Sequence, residues 1–268
     1  MKNDLVSVLM GVYYRRADTA LLERSVRSIL AQTHRDLELL ICDDGSSAEA
    51  AALLDELARQ DGRIRLLRPG NAYSLPCKLN ICLRNARGRW LARMDDDDFS
   101  HPERLEKQLD HLCAYPEIGF VGCNANLVQG ENAVGVRRLP ERPSVRDFYF
   151  VQPFIHPTLL FRREALMQVN GYSEDKHCLL CEDYDLLLRL YAASYRGANL
   201  QEILFDYTIP ATAKGSRRMR HRWNEVVTRC RRFRELGELP RALPFVVKPI
   251  AVGLLPERIL KALKDRRK

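Results

Sequence analysis

The sequence predicts an α/β fold with a mainly parallel central sheet flanked by helices, and three observations predict it. Short apolar runs rich in Val, Leu and Ile alternate with amphipathic stretches through the first hundred residues, the pattern of βαβ units. Two of those runs end in acidic clusters, Asp43-Asp44 and Asp95-Asp96-Asp97-Asp98. Open sheets of this kind bind ligands beyond the carboxyl ends of their strands, which is where both clusters fall.

The elements follow in order. Residues 5–12 read as a buried strand, and residues 21–32 place Leu22, Val26, Ile29 and Leu30 on one helical face. Residues 37–42 form a second buried strand that ends in the turn cluster Asp43-Asp44-Gly45-Ser46-Ser47. A helix over 48–59, a strand over 64–67, a helix over 74–86 and a strand over 90–94 complete the first hundred residues. Ser100-His101-Pro102-Glu103 matches a capping box before the helix carrying Leu105, Leu109 and Leu112. From Gly119 to Tyr207 shorter strands mix with a loop over 130–144 and a helix over 184–193. Neither an internal repeat nor a low-complexity segment interrupts the chain.

Composition narrows the class. Of 268 residues, 46% are apolar and 29% charged, a globular balance that excludes wholesale disorder. No uninterrupted apolar run reaches the roughly 18 residues of a membrane-spanning helix. The N-terminus opens into a strand with no basic segment and apolar core before it, so no secretory signal is expected and a cytoplasmic location is. The eight cysteines then read as buried thiols in a reducing compartment. Cys178 and Cys181 form a C-x-x-C pair, but a zinc site needs more ligands than the neighbouring His177.

Charge is unevenly spread. Residues 211–268 hold 17 Lys and Arg against 5 Asp and Glu, whereas residues 1–210 hold 26 against 30. We therefore place a boundary near Pro210, between a main body (1–210, with a further division at about residue 100) and a basic helical tail (211–268). In the tail Trp223, Val226, Val227, Cys230, Phe233 and Leu236 recur at helical spacing, with Arg222, Arg229, Arg231, Arg232 and Arg234 largely between them. The apolar residues between Pro244 and Pro256 are too few to span a bilayer, yet they suit docking beside anionic headgroups. The competing reading packs this helix on the main body or in a homodimer. Lys214 and Arg217-Arg218, just past the boundary, offer another use of the charge, closing over an anionic ligand of the body.

Three clusters carry chemistry. Four adjacent carboxylates at Asp95–Asp98 repel one another, a cost that a hard divalent cation such as Mg²⁺ or Mn²⁺ relieves with help from substrate phosphates. The bland reading is a solvated acidic turn. Asp43-Asp44-Gly45-Ser46 offers a carboxylate to a uracil N–H or a ribose hydroxyl, although Asp-Asp-Gly is also common turn chemistry. Glu182-Asp183-Tyr184-Asp185 begins a helix. Those acids either complement its dipole or supply a general base, and the residues alone leave both open.

Taken together, the motifs resemble the inverting family 2 glycosyltransferases with the GT-A fold, over roughly residues 5–210. The resemblance rests on Val6 to Tyr13, Ser28 to Thr33, Cys42 to Ser47, Asn71, Lys78-Leu79-Asn80 and Ala86-Arg87-Gly88. It continues through Ala92 to Asp98, Pro102 to Gln108, His156-Pro157-Thr158, Gly171-Tyr172 and Glu182 to Leu186. It implies a nucleotide-sugar donor, a UDP-sugar by family habit, and a divalent metal, Mg²⁺ or Mn²⁺. Asp43 would then bind the base, with Val12 and Tyr13 lining its pocket, and Asp44 would lie beside the ribose. Lys78, Arg93 and Asp96 would lie near the donor, and Asp95 and Asp97 would form the D-x-D pair that meets the metal. Asp183, supported by Glu182, would be the catalytic base, and His156 and Asp185 would sit on the acceptor side. The acceptor would be a glycan, lipid-linked as in bacterial polysaccharide and O-antigen assembly, with the tail on the inner face of the cytoplasmic membrane. Two positions depart from the family pattern: Tyr14 replaces an Asn, and Pro210 stands where relatives often carry a metal-binding His.

Other functions fit less well. A sugar nucleotidyltransferase would place a glycine-rich phosphate loop after the first strand, and Tyr13-Tyr14-Arg15-Arg16 contains no glycine. A nucleic-acid partner is not expected, because the acidic body would repel phosphate. A non-catalytic nucleotide or sugar binder would keep Asp43 and dispense with Asp183.

Overall fold

The structure is a computed structural model that describes residues 4–16, 18–71, 74–130, 132–209 and 219–254. Its first half is the expected βαβ array. β1 (Val6–Val12), β2 (Leu37–Asp43), β3 (Ile64–Leu67) and β4 (Trp90–Arg93) pair in parallel in the order β3-β2-β1-β4. The connecting helices are α1 (Ala20–Leu30), α2 (Ala48–Gln60) and α3 (Leu75–Asn85). β1, β2 and β4 are buried on both faces, which is why they read as continuous apolar runs rather than as alternation.

Past β4 the sheet becomes mixed. β5 (Phe99–Ser100) and α4 (Arg104–Ala114) lead into β6 (Ile118–Gln129) and β7 (Asn132–Arg137). β8 (Leu160–Arg162), α5 (Arg163–Gln168), α6 (Glu182–Ala192) and β9 (Arg196–Thr208) follow. β8 pairs antiparallel with β4 and β6, and β6 runs parallel to β9, giving the order β4-β8-β6-β9-β5, with β7 paired to β6. β5 pairs antiparallel with the end of β9, matching Phe99 to Asp206. The loop carrying the four aspartates is thereby held against the last strand.

The capping box before α4 does not form. Ser100 lies in β5, and its hydroxyl accepts from Arg104 and Gln32 at 2.7 and 3.0 Å. The helix start is satisfied from elsewhere in the chain: the buried side chain of Gln32, just beyond α1, accepts from Leu105 N at 3.1 Å. A tertiary partner replaced the local one, which no local motif anticipates.

The basic segment contributes α7 (Met219–Glu235) and α8 (Leu239–Leu254). Its expected division into an apolar and a cationic side is corrected by the structure. Arg229 and Arg232 are buried against the body, while Trp223 is 55% exposed. Each buried guanidinium has a partner there. Arg232 meets Asp185 at 2.7 Å, and Arg229 lies over the Tyr184 ring (4.6 Å) and donates to the Tyr149 carbonyl (3.2 Å). Phe233, Ala242 and Val246 join the same apolar cluster as Tyr184, Phe148 and Phe120. Cys178 and Cys181 are buried free thiols facing Thr228 of α7, and burial pushes Cys181 up to about 12. Pro210, Lys214, Arg217, Arg218 and residues 255–268 lie outside the described residues. Among the described residues no helix is long and apolar enough to cross a membrane.

Candidate active site

The site is assembled at the carboxyl ends of β1, β2 and β4. β1 delivers Val12 and then Tyr13, whose ring is 61% exposed. β2 delivers Asp43, paired across the sheet with Val12. One side chain fastens the two strand ends: the buried Lys78 of α3 donates to the carbonyls of Val12 and Asp44, the latter at 3.2 Å, and lies 5.1 Å from the Tyr13 ring. This close approach of α3 to β1 depends on Gly11. A Cβ there would stand 2.9 Å from Leu75 Cδ1 and 3.1 Å from Lys78 Cβ. Gly45 turns the chain at φ +84° directly beneath the Tyr13 ring.

Asp43 is the strongest ligand signal in this half. It is 5% exposed; Oδ2 meets Arg68 at a long 3.4 Å, and Oδ1 is buried with no hydrogen-bond partner among the described residues. An orphaned buried acceptor is costly and marks where a donor group is to be supplied from outside. Tyr14, in place of the family's Asn, is structural: its amide donates to Ser46 Oγ (2.9 Å) and its hydroxyl to the Asp18 carbonyl (3.0 Å).

The four aspartates divide into distinct roles. Buried Arg93, at the end of β4, donates to an Asp95 carboxylate oxygen and to the Met94 carbonyl. Asp97 faces Arg16 at 3.7 Å, and its carbonyl accepts from Thr208 Oγ1 at 2.5 Å. Asp98 is 1% exposed and accepts from Thr208 N at 2.7 Å, pinning the loop to β9. Burial, then the Asp95 charge, pushes Asp98 up to about 9. Burial and the charges of Asp97 and Asp95 push Asp96 up to about 6.

A divalent cation fits this donor set. Asp95 and Asp97 keep 31% and 30% of their side chains exposed, and burial and the Asp95 charge also raise the Asp97 carboxyl. Crowded carboxylates that suppress one another's ionisation are the surroundings a hard cation completes. Among the described residues no three His, Cys, Asp or Glu side chains converge on one point, so the remaining ligands would be substrate phosphates and water.

Across from this loop stands the N-terminus of α6. Asp183 Oδ2 accepts from the Gln152 side chain at 2.9 Å and Oδ1 from the Tyr184 amide at 2.7 Å. Burial first, then Asp183, raises the Glu182 carboxyl, and Glu182 Oε2 has no partner among the described residues. His156 is 8% exposed and shares a 2.8 Å hydrogen bond with the Tyr172 hydroxyl. Burial and the nearby Arg93 hold its imidazole well below the usual range, so it is neutral. Asn80 fixes Tyr172 from both sides, donating to its carbonyl (2.8 Å) and accepting from its amide (2.9 Å).

One cavity of about 570 Å³ is lined by Asp95, His156, Glu182, Asp183 and Tyr207, among others. The acidic loop and the α6 acids therefore share a space, and the charges of Asp95 and Asp183 both help raise the Tyr207 hydroxyl, which burial chiefly pushes up to about 12. Asp185 is not brought to this space. It is fully buried, held by Arg189 and Arg232 at 2.8 and 2.7 Å, and presents no surface to an acceptor. Sequence reasoning missed Gln152, Tyr172, Tyr207 and Arg16. Only Tyr172 carried a signal, as part of Gly171-Tyr172.

Comparison with known proteins gives the family. Residues 7–169 match the family model described as Glycosyl transferase family 2. The chain belongs to glycosyl transferase family 2. It is a glycosyltransferase with the GT-A fold. Among its relatives, the putative glycosyltransferase EpsE of Bacillus subtilis (strain 168) is 31% identical over 267 residues, 98% of this chain and 94% of that protein. The O-antigen biosynthesis glycosyltransferase WbnJ of Escherichia coli is 33% identical over 214 residues, 77% of this chain and 80% of that one. Similar solved structures include residues 1-349 of S. aureus TarS in complex with UDP-GlcNAc, at TM-score 0.68 and 15% identity, covering 91% of this chain and 72% of that one. The mannosyltransferase PcManGT from Pyrobaculum calidifontis, in complex with GDP-Man and Mn²⁺, matches at TM-score 0.65 and 19% identity, covering 97% and 79%.

Proposed function

We propose that the protein is an inverting, metal-dependent glycosyltransferase that moves a sugar from a UDP-sugar to a hydroxyl of a lipid-linked glycan in bacterial surface polysaccharide assembly. The observation that carries this reading is the single cavity lined by Asp95 on one side and Glu182 and Asp183 on the other. This arrangement supports a donor diphosphate held on the Asp95 side and an acceptor hydroxyl held on the Asp183 side of one anomeric carbon. In this reading residues 1–210 are the catalytic domain and 211–268 an appended basic unit that contacts the inner face of the cytoplasmic membrane.

The steps follow from the residues. The orphaned Oδ1 of Asp43 accepts the base N–H beneath the exposed Tyr13 ring, and Asp44 lies beside the ribose. Asp95 and Asp97 would hold Mg²⁺ or Mn²⁺, which when bound stabilises negative charge on the departing diphosphate. Arg93 orients Asp95. Asp183 takes the proton of the acceptor hydroxyl as its oxygen attacks the anomeric carbon from the face opposite the diphosphate. The C–O bond to the diphosphate breaks, its electron pair leaves with the nucleotide, and one displacement inverts the configuration. Asp183 then returns its proton to solvent. WbnJ, named for O-antigen biosynthesis, and an E. coli UDP-Gal:alpha-D-GlcNAc-diphosphoundecaprenol beta-1,3-galactosyltransferase (27% identical over 205 residues) support the assignment to surface polysaccharides and a lipid-linked acceptor.

Thermal unfolding with UDP, GDP or dTDP, each with Mn²⁺ or with EDTA, tests the donor side. Stabilisation by UDP with Mn²⁺, lost with EDTA and in Asp95→Ala and Asp97→Ala, is expected. A well-folded sample that responds to no nucleotide would overturn the proposed nucleotide-sugar donor site. Proton NMR of the newly formed anomeric centre tests inversion.

A further inference from the structure

The shared cavity has a second wall that none of the family motifs supplies. Arg137 of β7, Arg222 and Arg229 of α7, and Lys248, Pro249 and Val252 of α8 build it. Around the cavity Asp95, Glu182 and Asp183 come from the strand end and α6, whereas four cations come from β7, α7 and α8 with one acid, Glu225, among them. Arg229 is turned inward, pairing with Glu225 at 2.9 Å and with the body. Arg222 donates to the Pro249 carbonyl at 3.0 Å, clamping α7 to α8, and Arg137 donates to the Gln152 carbonyl at 3.3 Å. Lys248 is exposed.

Beside these cations the lining turns apolar and open. Phe150, Val151 and Leu180 line the cavity and are 61%, 55% and 56% exposed. Phe150 packs on Phe245 of α8 at 4.7 Å, and α8 carries Leu243 and Val247 outward, 53% and 48% exposed. A neutral glycan calls for neither a cation cluster nor an open apolar rim. An anionic head joined to a hydrocarbon chain calls for both.

We propose that this wall is a subsite for the diphosphate and first isoprenyl units of the acceptor. Lys248, Arg222 and Arg137 hold the diphosphate while the sugar hydroxyl reaches Asp183, and the chain leaves over Phe150, Val151 and Leu180 toward the outer face of α8. The inference rests on the lipid-linked acceptor reading above. It makes α7 and α8 part of the active site, with a role in substrate selection beyond any anchoring.

Titration calorimetry on the full chain tests it, with farnesyl diphosphate as the probe and inorganic pyrophosphate, farnesol and UDP with Mn²⁺ as the other arms. Farnesyl diphosphate is expected to bind with UDP and Mn²⁺ saturating, and more tightly than pyrophosphate or farnesol. Lys248→Ala with Arg137→Gln is expected to weaken it about tenfold, the effect of losing about 1.4 kcal/mol of charge-assisted bonding, and to leave UDP affinity unchanged. Phe150→Ser is expected to weaken farnesyl diphosphate and leave pyrophosphate unchanged. Displacement by UDP, equal binding of pyrophosphate, or unchanged affinity in the variants would overturn the subsite. UDP binding without farnesyl diphosphate binding would sink this inference alone, whereas loss of UDP binding would strike the donor reading.

Discussion

Gln152 donates its side-chain amide to Oδ2 of Asp183 at 2.9 Å while its own backbone carbonyl accepts from Arg137. The proposed base is therefore oriented by the segment that precedes His156, through a side chain outside every family motif. Gln152→Leu is expected to lower kcat about tenfold, the order of one hydrogen bond to a charged group, with the donor KM unchanged. A raised donor KM at unchanged kcat in steady-state kinetics would contradict a positioning role.

Gly11 controls how closely α3 approaches β1. Gly11→Ala would put a methyl group 2.9 Å from Leu75 Cδ1 and 3.1 Å from Lys78 Cβ, pushing Lys78 away from the Val12 and Asp44 carbonyls. We expect several-fold weaker UDP binding and a loss of about 1–3 kcal/mol in stability. Nucleotide titration and urea denaturation read the two effects separately.

Asp185 joins α6 to α7 through Arg232 and braces α6 through Arg189. Asp185→Ala leaves the largely buried Arg189 without its carboxylate and Arg232 with Glu235 alone, at an expected cost of about 3 kcal/mol in urea denaturation. Hydrogen exchange is expected to rise first along α7 and α8. Exchange confined to α6 would show that the Arg232 contact contributes little.

His156 makes stability depend on pH. Its folded pKa lies well below the ordinary 6.5, because burial and Arg93 disfavour the imidazolium. Above about pH 6.5 both folded and unfolded states carry the neutral ring, and no stability is lost. As pH falls below that value the unfolded chain binds a proton that the native state refuses, so stability drops by up to about 1.4 kcal/mol per pH unit until the folded pKa is reached. His156→Gln is expected to flatten the urea-unfolding midpoint between pH 6.5 and 5. An unchanged slope in the variant would assign the acid sensitivity to other groups.

The first half of the fold was legible because its signals are local. Strands buried on both faces announce themselves as apolar runs, and the acidic clusters at their ends follow from βαβ topology. The capping box at Ser100 and the cationic side of α7 were misread for one reason. Gln32 and Asp185 are distant in sequence, and pattern alone cannot show a buried partner that satisfies a helix start or a guanidinium.

Sequence by itself determined the parallel half of the sheet, the family, and the order of the motifs, since each rests on spacing within a few residues. Tertiary structure decided which members of those motifs face one space. Asp183 and Asp185 stand two positions apart on α6, and that spacing turns their side chains through about 200° of the helix. One lines the cavity with Asp95, while the other is sealed beneath α7 by Arg232, and the packing of a helix more than thirty residues later in the chain settles the difference.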